Sequence, residues 1–469
     1  MVNKSGTQSL TDQLAQRFAQ RIRDRLLGPG ARLPSVRQCA QQQGLSPSTV
    51  VGAYDQLLAQ GLVEARNKRG FFVRELRTTA LSPSAAIRAD ALRPEWAPLS
   101  AAALIRGMFQ HSNGKAHPSM GVLPPDWLQT TFLSAAVRRH SSAAALNSFS
   151  LQYGEPQGDT SLRQALAQQM ETLAIGVAPS QIITTLGATH ALDIVSRTLL
   201  RAGDYVMVEE PGWAVEFARL EALGMRILPV PRRADGPDLD VMARYCQAHS
   251  PKLFVSVSVL HNPTGFCLSP SAAHQTLQLA QQHDFHIVED DTYCHLAAPH
   301  ATRLCALDNL KRTIYVSGFA KILAPNWRVG FLAAPPELVE RLLDTKLLST
   351  LTTPALLERA MASCIDQGQL RRHAERVRSR LGVARSRSVA QARAHGIRFA
   401  SEPAGLFGWV DTGVDTDALA HRMLDEGYLL APGALFHAVR APSQLMRINF
   451  AITQEPTFWQ VLCKVRDTM

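Results

Sequence analysis

The chain has 469 residues, which is too long for one ordinary domain, and 46% of them are hydrophobic, with a mean hydropathy of −0.05. No apolar run reaches the roughly 20 residues of a membrane span, and the first residues lack a signal peptide's apolar stretch, so we expect a cytoplasmic protein without a membrane partner. The seven cysteines form no CxxC pair, and we expect neither a disulfide framework nor a metal site.

Positive charge is concentrated at the N-terminus. The net charge is +10, and residues 1–75 hold 11 Lys and Arg against 5 Asp and Glu. Basic charge in so short a segment fits a polyanionic partner such as nucleic acid. A solvated basic face would have the same composition, so charge alone does not identify the partner.

The first 75 residues have the element order of a winged helix-turn-helix. A first helix is predicted by apolar residues at four-residue spacing, namely Leu10, Leu14, Phe18, Ile22 and Leu26. A second helix is predicted from the cap at Pro34-Ser35 to Gln43, and a third over 47–59 after a tight turn. Residues 62–65 and 71–73 then predict a two-stranded wing, so we assign 1–75 to a DNA-binding domain.

The remainder of the chain predicts a linker and a large α/β domain. Residues 76–115 are rich in Ala, Ser, Pro and Arg and predict a linker, with one short helix near 101–109. From 116 to 469, strand and helix patterns alternate, which predicts a mostly parallel sheet covered by helices on both faces. Its large part is placed at about 150–335, and a smaller α+β part at about 336–469. The predicted buried strands are 182–185, 205–208, 253–259 and 286–288.

Several N-terminal motifs agree in order and spacing: RLPSVR at 32–37, SPSTV at 46–50, Tyr54, GLV at 61–63 and RGFFV at 69–73. Together they resemble the GntR family of winged-helix regulators. The resemblance implies that the third helix enters the major groove of double-stranded operator DNA. Hydroxyl groups, backbone amides and arginine side chains would then contact the phosphates and the edges of the bases. The implied contact residues are Arg32, Ser35, Arg37, Ser46, Ser48, Thr49, Tyr54, Lys68 and Arg69.

A second set of motifs lies in the large domain, each directly after a predicted strand. They are HNPTG at 261–265, EDDTY at 289–293, SGFAK at 317–321, and Arg328. This set resembles the fold-type I enzymes of the aspartate aminotransferase superfamily, which use pyridoxal 5′-phosphate (PLP). In open α/β sheets, ligands bind beyond the carboxyl ends of the strands, which is where these motifs fall.

The resemblance implies a role for each residue around the PLP ring. Lys321 is implied to form the Schiff base with the aldehyde, after losing its proton. Asp290 is implied to pair with the pyridine nitrogen and keep it protonated, which makes the ring an electron sink. Asn262 and Tyr293 are implied to hydrogen-bond the 3′-oxygen of the ring, and Trp213 to stack on it.

The phosphate and the substrate carboxylate also have implied partners. Arg328 and the helix start at Ala188 and Thr189 are implied to hold the phosphate. Ser317 is included with them, although it stands one position before the serine that many relatives carry. Tyr153 is implied to reach the phosphate of a neighbouring subunit. The α-carboxylate of an amino acid is implied to bind Arg447.

A GntR-like head fused to an aminotransferase-like body resembles the MocR subgroup of regulators. This resemblance implies a homodimer that reads two DNA half-sites, with PLP or a small amino compound as effector. Three interpretations stay open: a regulator whose PLP domain senses without turnover, a working aminotransferase with an accessory DNA-binding head, and a DNA-binding protein with an inert scaffold. The presence of Lys321 argues against the third.

Overall fold

The computed structural model describes residues 9–23, 27–66, 69–74, 100–108 and 117–469. Most of the predicted linker and the predicted DNA contact Lys68 lie outside the described residues. The N-terminal elements, called the head below, are α1 (Leu10–Arg23), α2 (Val36–Gln43), α3 (Pro47–Ala59), β1 (Val63–Arg66) and β2 (Gly70–Val73). Strands β1 and β2 pair antiparallel, which confirms the predicted winged helix-turn-helix.

Local sequence signals explain the short connection between α2 and α3. Ser35 and Gln38 form a reciprocal capping box at the start of α2, and Gly44 ends that helix with a φ of 63°. Ser46 accepts a hydrogen bond from the Thr49 backbone N–H and so caps α3 two residues later. Helix α3 packs against both α1 and α2, and buried residues of all three helices share one apolar core.

The body is built from helices and strands in alternation. Its helices are α4 (Ala101–Met108), α5 (Pro125–Leu128), α6 (Thr131–His140), α7 (Ala143–Phe149), α8 (Thr160–Glu171), α9 (Ala188–Leu199), α10 (Ala214–Ala222), α11 (Leu239–His249), α12 (Pro270–His283), α13 (Leu304–Asp308), α14 (Pro336–Thr350), α15 (Ala355–Asp366), α16 (Gln369–Ala394), α17 (Thr416–Asp425) and α18 (Pro456–Arg466). Short 3-10 helices lie at Pro179–Gln181, Cys294–Leu296, Pro325–Trp327 and Gly433–Phe436. Within the described residues, no helix has both the length and the apolar character to cross a bilayer.

The strands form two sheets. They are β3 (Ile182–Thr185), β4 (Tyr205–Glu210), β5 (Arg226–Pro231), β6 (Leu253–Ser256), β7 (His286–Asp290), β8 (Thr313–Gly318), β9 (Gly330–Ala333), β10 (Arg398–Phe399), β11 (Phe407–Asp411), β12 (Ala431–Pro432) and β13 (Leu445–Asn449). The large sheet has the order β3-β9-β8-β7-β6-β4-β5, and the small one the order β10-β11-β13-β12.

The large sheet is mostly parallel, as predicted. Strands β4 to β8 run parallel to one another, while β9 pairs antiparallel with both β3 and β8. Separate apolar clusters cover its two faces, which explains why its strands are nearly continuous hydrophobic runs. Because β6, β7 and β8 are parallel, the loops at their carboxyl ends meet along one edge of the sheet.

The small antiparallel sheet and α14 to α18 form the predicted α+β part. Strand β13 lies inside this sheet, between β11 and β12. Among the described residues, an ion pair joins this part to the head, with Arg21 Nη1 of α1 at 2.8 Å from Asp425 Oδ1 of α17. Partly exposed ion pairs of this kind contribute little to stability, so this contact alone does not fix the position of the head.

Candidate functional site

The residues of the second motif set meet at the carboxyl edge of the large sheet. Asp290 is the last residue of β7, and Lys321 follows the end of β8 by three residues. Asn262 lies in the loop after β6, and α9 begins at Ala188, directly after the turn that follows β3. Strand β13 of the small sheet brings Arg447 to the same place.

Lys321 is a half-buried lysine with an unusual electrostatic environment. Its Nζ donates a hydrogen bond to the backbone oxygen of Gly121 at 2.8 Å. Burial and the positive charges of Arg447 and Arg328 together lower the pKa of Lys321 to about 8, against the opposing charge of Asp290. The amine therefore loses its proton far more readily than an exposed lysine does.

Asp290 is close enough to this amine for their charges to interact. Its Oδ1 accepts hydrogen bonds from the backbone N–H of Thr292, at 3.0 Å, and from the Thr292 hydroxyl. Burial raises the pKa of Asp290 to about 6, since two hydrogen bonds only partly offset the loss of water. Asp290 and Trp213 line the same small cavity, so a carboxyl group and an aromatic face border one space.

Arg447 is a buried guanidinium held by uncharged partners. Its Nη1 donates to Asn262 Oδ1 at 2.9 Å, and its carbon lies 4.4 Å from the ring centre of Phe407 and 5.2 Å from that of Phe436. Burial lowers its pKa to about 10, and no Asp or Glu of the described residues forms an ion pair with it. Tyr293 also hydrogen-bonds Asn262, and burial raises the pKa of that phenol. Buried cations need paired anions, so this guanidinium marks a place for one.

An anion cradle is formed where α9 begins. Gly187 adopts a φ of 85° before the first helical turn, and Arg328 Nη2 donates to the Leu186 backbone oxygen at 3.0 Å. A Cβ at Gly187 would lie 2.6 Å from Arg328 Nη2, so the guanidinium lies directly against the turn. Ala188 and Thr189 occupy the first turn and are half-buried. The helix N-terminus and the guanidinium together favour a phosphate-sized anion.

Two residues of the expected cofactor set point elsewhere. Ser317 is buried and its Oγ donates to the backbone oxygen of Asp291 at 3.0 Å, so its hydroxyl stabilises the β7–β8 pair and is not directed at the cradle. This corrects the expected phosphate contact. Tyr153 is 83% exposed, which leaves its side chain outside the site of its own chain.

Residues 117–122, which belong to none of the motifs, also line the site. Besides the Lys321 contact, Arg447 Nη2 donates to the Ser119 backbone oxygen. Asn449 Nδ2 donates to the backbone oxygens of Met120 and Val122, each at 2.8 Å. Arg447 and Asn449 are two apart on β13 and therefore share one face of the strand, a periodicity that was available from the sequence.

The expected DNA-binding residues of the head divide into exposed side chains and helix caps. Arg32, Arg37, Ser48 and Arg69 are exposed. Arg32 lies against the wing, because a Cβ at Gly70 would be 3.4 Å from its Nε. The hydroxyls of Ser35 and Ser46 accept hydrogen bonds from the first turns of α2 and α3, and the Thr49 hydroxyl lies 2.8 Å from that of Ser46.

Tyr54 does not fit a contact with DNA. Its side chain is fully buried, its ring packs edge-on against Phe18 and Phe71, and its hydroxyl donates to the Pro34 backbone oxygen at 2.9 Å. Tyr54 therefore holds the start of α2 against the core of the head. The expectation that it contacts DNA is corrected on this ground.

Family comparisons agree with both halves of the chain. The model described as "Aminotransferase class I and II" matches residues 121–461. The chain belongs to this family. The model described as "Bacterial regulatory proteins, gntR family" matches residues 10–73, which confirms the GntR-type helix-turn-helix domain. The chain is thus a GntR-type regulator fused to an aminotransferase domain.

Relatives of both kinds are found. The "Probable rhizopine catabolism regulatory protein MocR" of Rhizobium meliloti is 29% identical, over 82% of this chain and 77% of its own length. The 2-aminoadipate transaminase of Thermus thermophilus is 31% identical, over 64% of this chain and 77% of its own length. The solved structure of LysN, the α-aminoadipate aminotransferase of Thermus thermophilus complexed with N-(5′-phosphopyridoxyl)-L-leucine, superimposes with a TM-score of 0.71 at 24% identity, over 78% of this chain and 94% of that one.

Proposed function

We propose that this protein is a DNA-binding transcription regulator whose aminotransferase domain binds PLP and senses an amino compound, with an amino acid as the preferred class. The observation that carries the proposal is the meeting of Lys321, Asn262 and Arg447 in one site, on a chain that begins with a GntR-type head. The proposed units are residues 1–75 for DNA, a linker over 76–115 and the sensing body over 116–469.

The residues of the site fit PLP. The cradle of α9 and Arg328 matches a phosphate, and the Asp290 carboxyl borders the same cavity as the flat face of Trp213. The lowered pKa of Lys321 suits an amine that attacks an aldehyde. Asn262 and Tyr293 are close enough to hydrogen-bond one another, so the two side chains could serve a single ring oxygen.

Each group of the chain then has a task. When bound, PLP supplies an aldehyde for an amine and a ring that withdraws electrons. Lys321 holds or releases a proton at Nζ, and Asp290 keeps a negative charge beside a ring nitrogen. Arg328 and the amides of α9 fix the phosphate, which orients the ring. Arg447 offers its guanidinium to a carboxylate, which selects amino acids over simple amines.

A homodimer is also part of the proposal. Tyr153 and Leu151 are 83% and 76% exposed, and Leu348 at the end of α14 is 91% exposed. Leu151 and Tyr153 line one groove, and in the proposed dimer a second copy would cover these exposed side chains. Tyr153 would then reach the phosphate of the partner's site. Two heads would read two operator half-sites.

A working aminotransferase is the second candidate function. The observation that favours it is that Lys321, Asp290 and Arg447 all lie at one site, with the pKa of Lys321 lowered to about 8. An accessory head would then serve a metabolic enzyme. Steady formation of a keto acid from an amino acid distinguishes this candidate from a sensor.

DNA affinity in the presence of amino acids tests the proposal. The affinity of the PLP-loaded protein for the DNA upstream of its own gene is measured with and without each amino acid. The measurement is made for the wild type and for Lys321→Ala. We expect one class of amino acid to change the affinity of the wild type only, because an effector shifts the equilibrium by its differential affinity for the two states. An equal response in Lys321→Ala contradicts sensing at this site.

A further inference from the structure

Helix α16 carries the net positive charge of the body. Its 26 residues include eight arginines and a single acidic residue, Glu375. The remainder of residues 76–469 contains slightly more Asp and Glu than Lys and Arg, so the excess of positive charge lies on this one helix. A basic run can be a solvated face, and the arrangement of its side chains decides whether it forms a site.

Half of these arginines form one exposed row along the helix. They are called the arginine stripe below: Arg372, Arg376, Arg380 and Arg387. Their spacing of four, four and seven residues keeps them within roughly one quarter of the helix circumference, and the row is roughly 22 Å long. Arg371 lies on another side of the helix, where it pairs with Glu375 at 3.1 Å.

Three arginines of the stripe border the same space. Arg376, Arg380 and Arg387 line one open groove of about 440 Å³, together with Trp127. The Arg380 guanidinium is held by α5, since its carbon lies 4.4 Å from the centre of the Trp127 ring and its Nη2 lies 2.6 Å from Asp126 Oδ2. Arg376 and Arg387, before and after it, form no ion pair with an Asp or Glu of the described residues. A polyanion in the groove would meet both of these guanidinium groups.

The head is attached to the same part of the body. Arg21 of α1 pairs with Asp425 at the end of α17, which packs on α18, and α18 packs on α16. The attachment point of the head thus lies two helices away from the stripe. Duplex DNA that extends beyond the head has the stripe within reach if it bends towards the body.

We propose that the arginine stripe is a second DNA-binding surface, which holds the phosphate backbone of the duplex beside the operator half-sites. Guanidinium groups bind phosphates through two parallel hydrogen bonds, and such contacts add affinity without reading the sequence. The phosphates of one strand advance by about 3.4 Å per base pair, so the stripe spans about six base pairs. The inference rests on the proposed function and adds a contact of the body to those of the head.

The dependence of affinity on DNA length tests the proposal in the full-length protein. The stripe variant is Arg376→Gln with Arg387→Gln, which leaves Arg380 and its ion pair in place. Two duplexes are taken from the DNA upstream of its own gene. The short duplex covers only the segment that the stripe variant protects from hydroxyl radicals, and the long duplex adds about 20 base pairs, or about 70 Å, on each side.

The wild type and the stripe variant should differ on the long duplex alone. We expect the wild type to bind it roughly tenfold more tightly than the short duplex, and the stripe variant to bind both equally. On the long duplex, the slope of log affinity against log salt concentration should be smaller by about 2 in the variant, because two phosphate contacts are lost. Arg244→Gln with Lys252→Gln is the matched control, since it removes two exposed charges from the large part of the body and should behave as the wild type.

A photo-crosslink identifies what lies on the stripe. Ser379 lies between Arg376 and Arg380 in the sequence and lines the same groove. A photoreactive amino acid placed at Ser379 should form a crosslink to the long duplex, and the same group at Gln278, exposed on α12, should not. A crosslink to a second copy of the chain instead would overturn the proposal, because the stripe would then be a protein interface.

The outcomes keep the two proposals apart. A wild type that binds both duplexes no better than an unrelated sequence contradicts the proposed function, and this inference with it. Equal affinity of the wild type for the short and the long duplex, or an equal gain from the flanks in the stripe variant, overturns the second surface alone. A control variant that loses as much affinity as the stripe variant also overturns it, because net charge would then explain the loss.

Discussion

Arg447 and Asn262 are hydrogen-bonded, Nη1 to Oδ1 at 2.9 Å, although 185 positions separate them in the chain. One lies on the small sheet and the other in the loop after β6 of the large sheet. The bond therefore crosses between the two parts of the body at the point where a carboxylate and a ring oxygen would bind. A ligand that engages either residue acts on both parts.

Removal of the Lys321 amine should abolish covalent attachment of PLP. Lys321→Ala is expected to lose the cofactor's visible absorbance after gel filtration, while the thermal unfolding of the head is unchanged, because the head has its own apolar core. The exposed Lys311→Ala is the control and should retain the absorbance. Retained absorbance in Lys321→Ala would show attachment at another lysine.

Neutralising Arg447 should weaken binding of amino acids but not of amines. Hydrogen bonds to a charged group contribute about 1.5–3 kcal/mol, so Arg447→Gln is expected to bind an effector amino acid roughly 10- to 150-fold more weakly. The matching amine without a carboxylate should bind the variant and the wild type equally. Arg398→Gln, on the exposed β10, is the control. Equal losses for amine and amino acid would argue against a carboxylate contact.

Covalent attachment of PLP should follow the titration of Lys321. Its pKa is lowered to about 8, so the reactive free amine increases as pH rises through 8 and is scarce below 7. We expect the attachment rate to rise roughly tenfold between pH 6 and 7 and to level off above about 9. Arg447→Gln removes a charge that lowers this pKa and should move the midpoint to higher pH. A wild-type midpoint near 10.5 would contradict the burial of this amine.

Arg37 should contribute to DNA binding through one of two contacts. Arg37→Ala is expected to weaken binding by about 1–3 kcal/mol, with relaxed specificity at one base pair, if it contacts a base. If Arg37 contacts a phosphate, the variant should lose the same affinity for every DNA sequence, and the slope of log affinity against log salt concentration should fall by about 1. Arg371→Ala, on an exposed face of α16, is the control. Unchanged affinity would place Arg37 on a solvated face.

Tyr54 should matter for stability alone. Tyr54→Phe removes the hydrogen bond to the Pro34 oxygen, and we expect the head to lose about 1 kcal/mol of its free energy of unfolding. Thermal unfolding of the full chain measures this loss. The salt dependence of DNA binding should be unchanged, because the hydroxyl faces the core. A changed salt dependence of DNA binding would instead indicate that Tyr54 contacts DNA.

The sequence predicted those elements whose limits are set by local signals. The predicted limits of strand β3 and the predicted start of α9 agree with the structure at every residue. The reason is that a run of buried residues is followed by Gly187, a glycine typical of a tight turn. Strand β6 was predicted over 253–259 but ends at Ser256. The Val257 backbone N–H there donates to the buried Glu209 side chain at 2.8 Å, so the ladder stops at a distant residue. Local periodicity contains no such information.

Part of the candidate site could not be predicted from sequence motifs. Asn262, Asp290 and Lys321 were predicted because each lies in a recognisable motif after a predicted strand, and Arg447 because it lies in a motif of its own near the end of the chain. Segment 117–122 contributes through backbone oxygens, which any sequence possesses, and its place follows from long-range packing. Ser317 and Tyr54 were misread for the converse reason, since their hydroxyls are bonded to backbone oxygens that sequence spacing does not indicate.

The visible absorption spectrum of the full-length protein, during titration with PLP and then with a panel of amino acids, tests the central claim most directly. The account predicts a bound-cofactor band that depends on Lys321, shifts with one class of amino acid and then stays shifted. Absence of the band after PLP is added would contradict cofactor binding. A band that decays as a keto acid accumulates would contradict the sensor and make the protein a working aminotransferase.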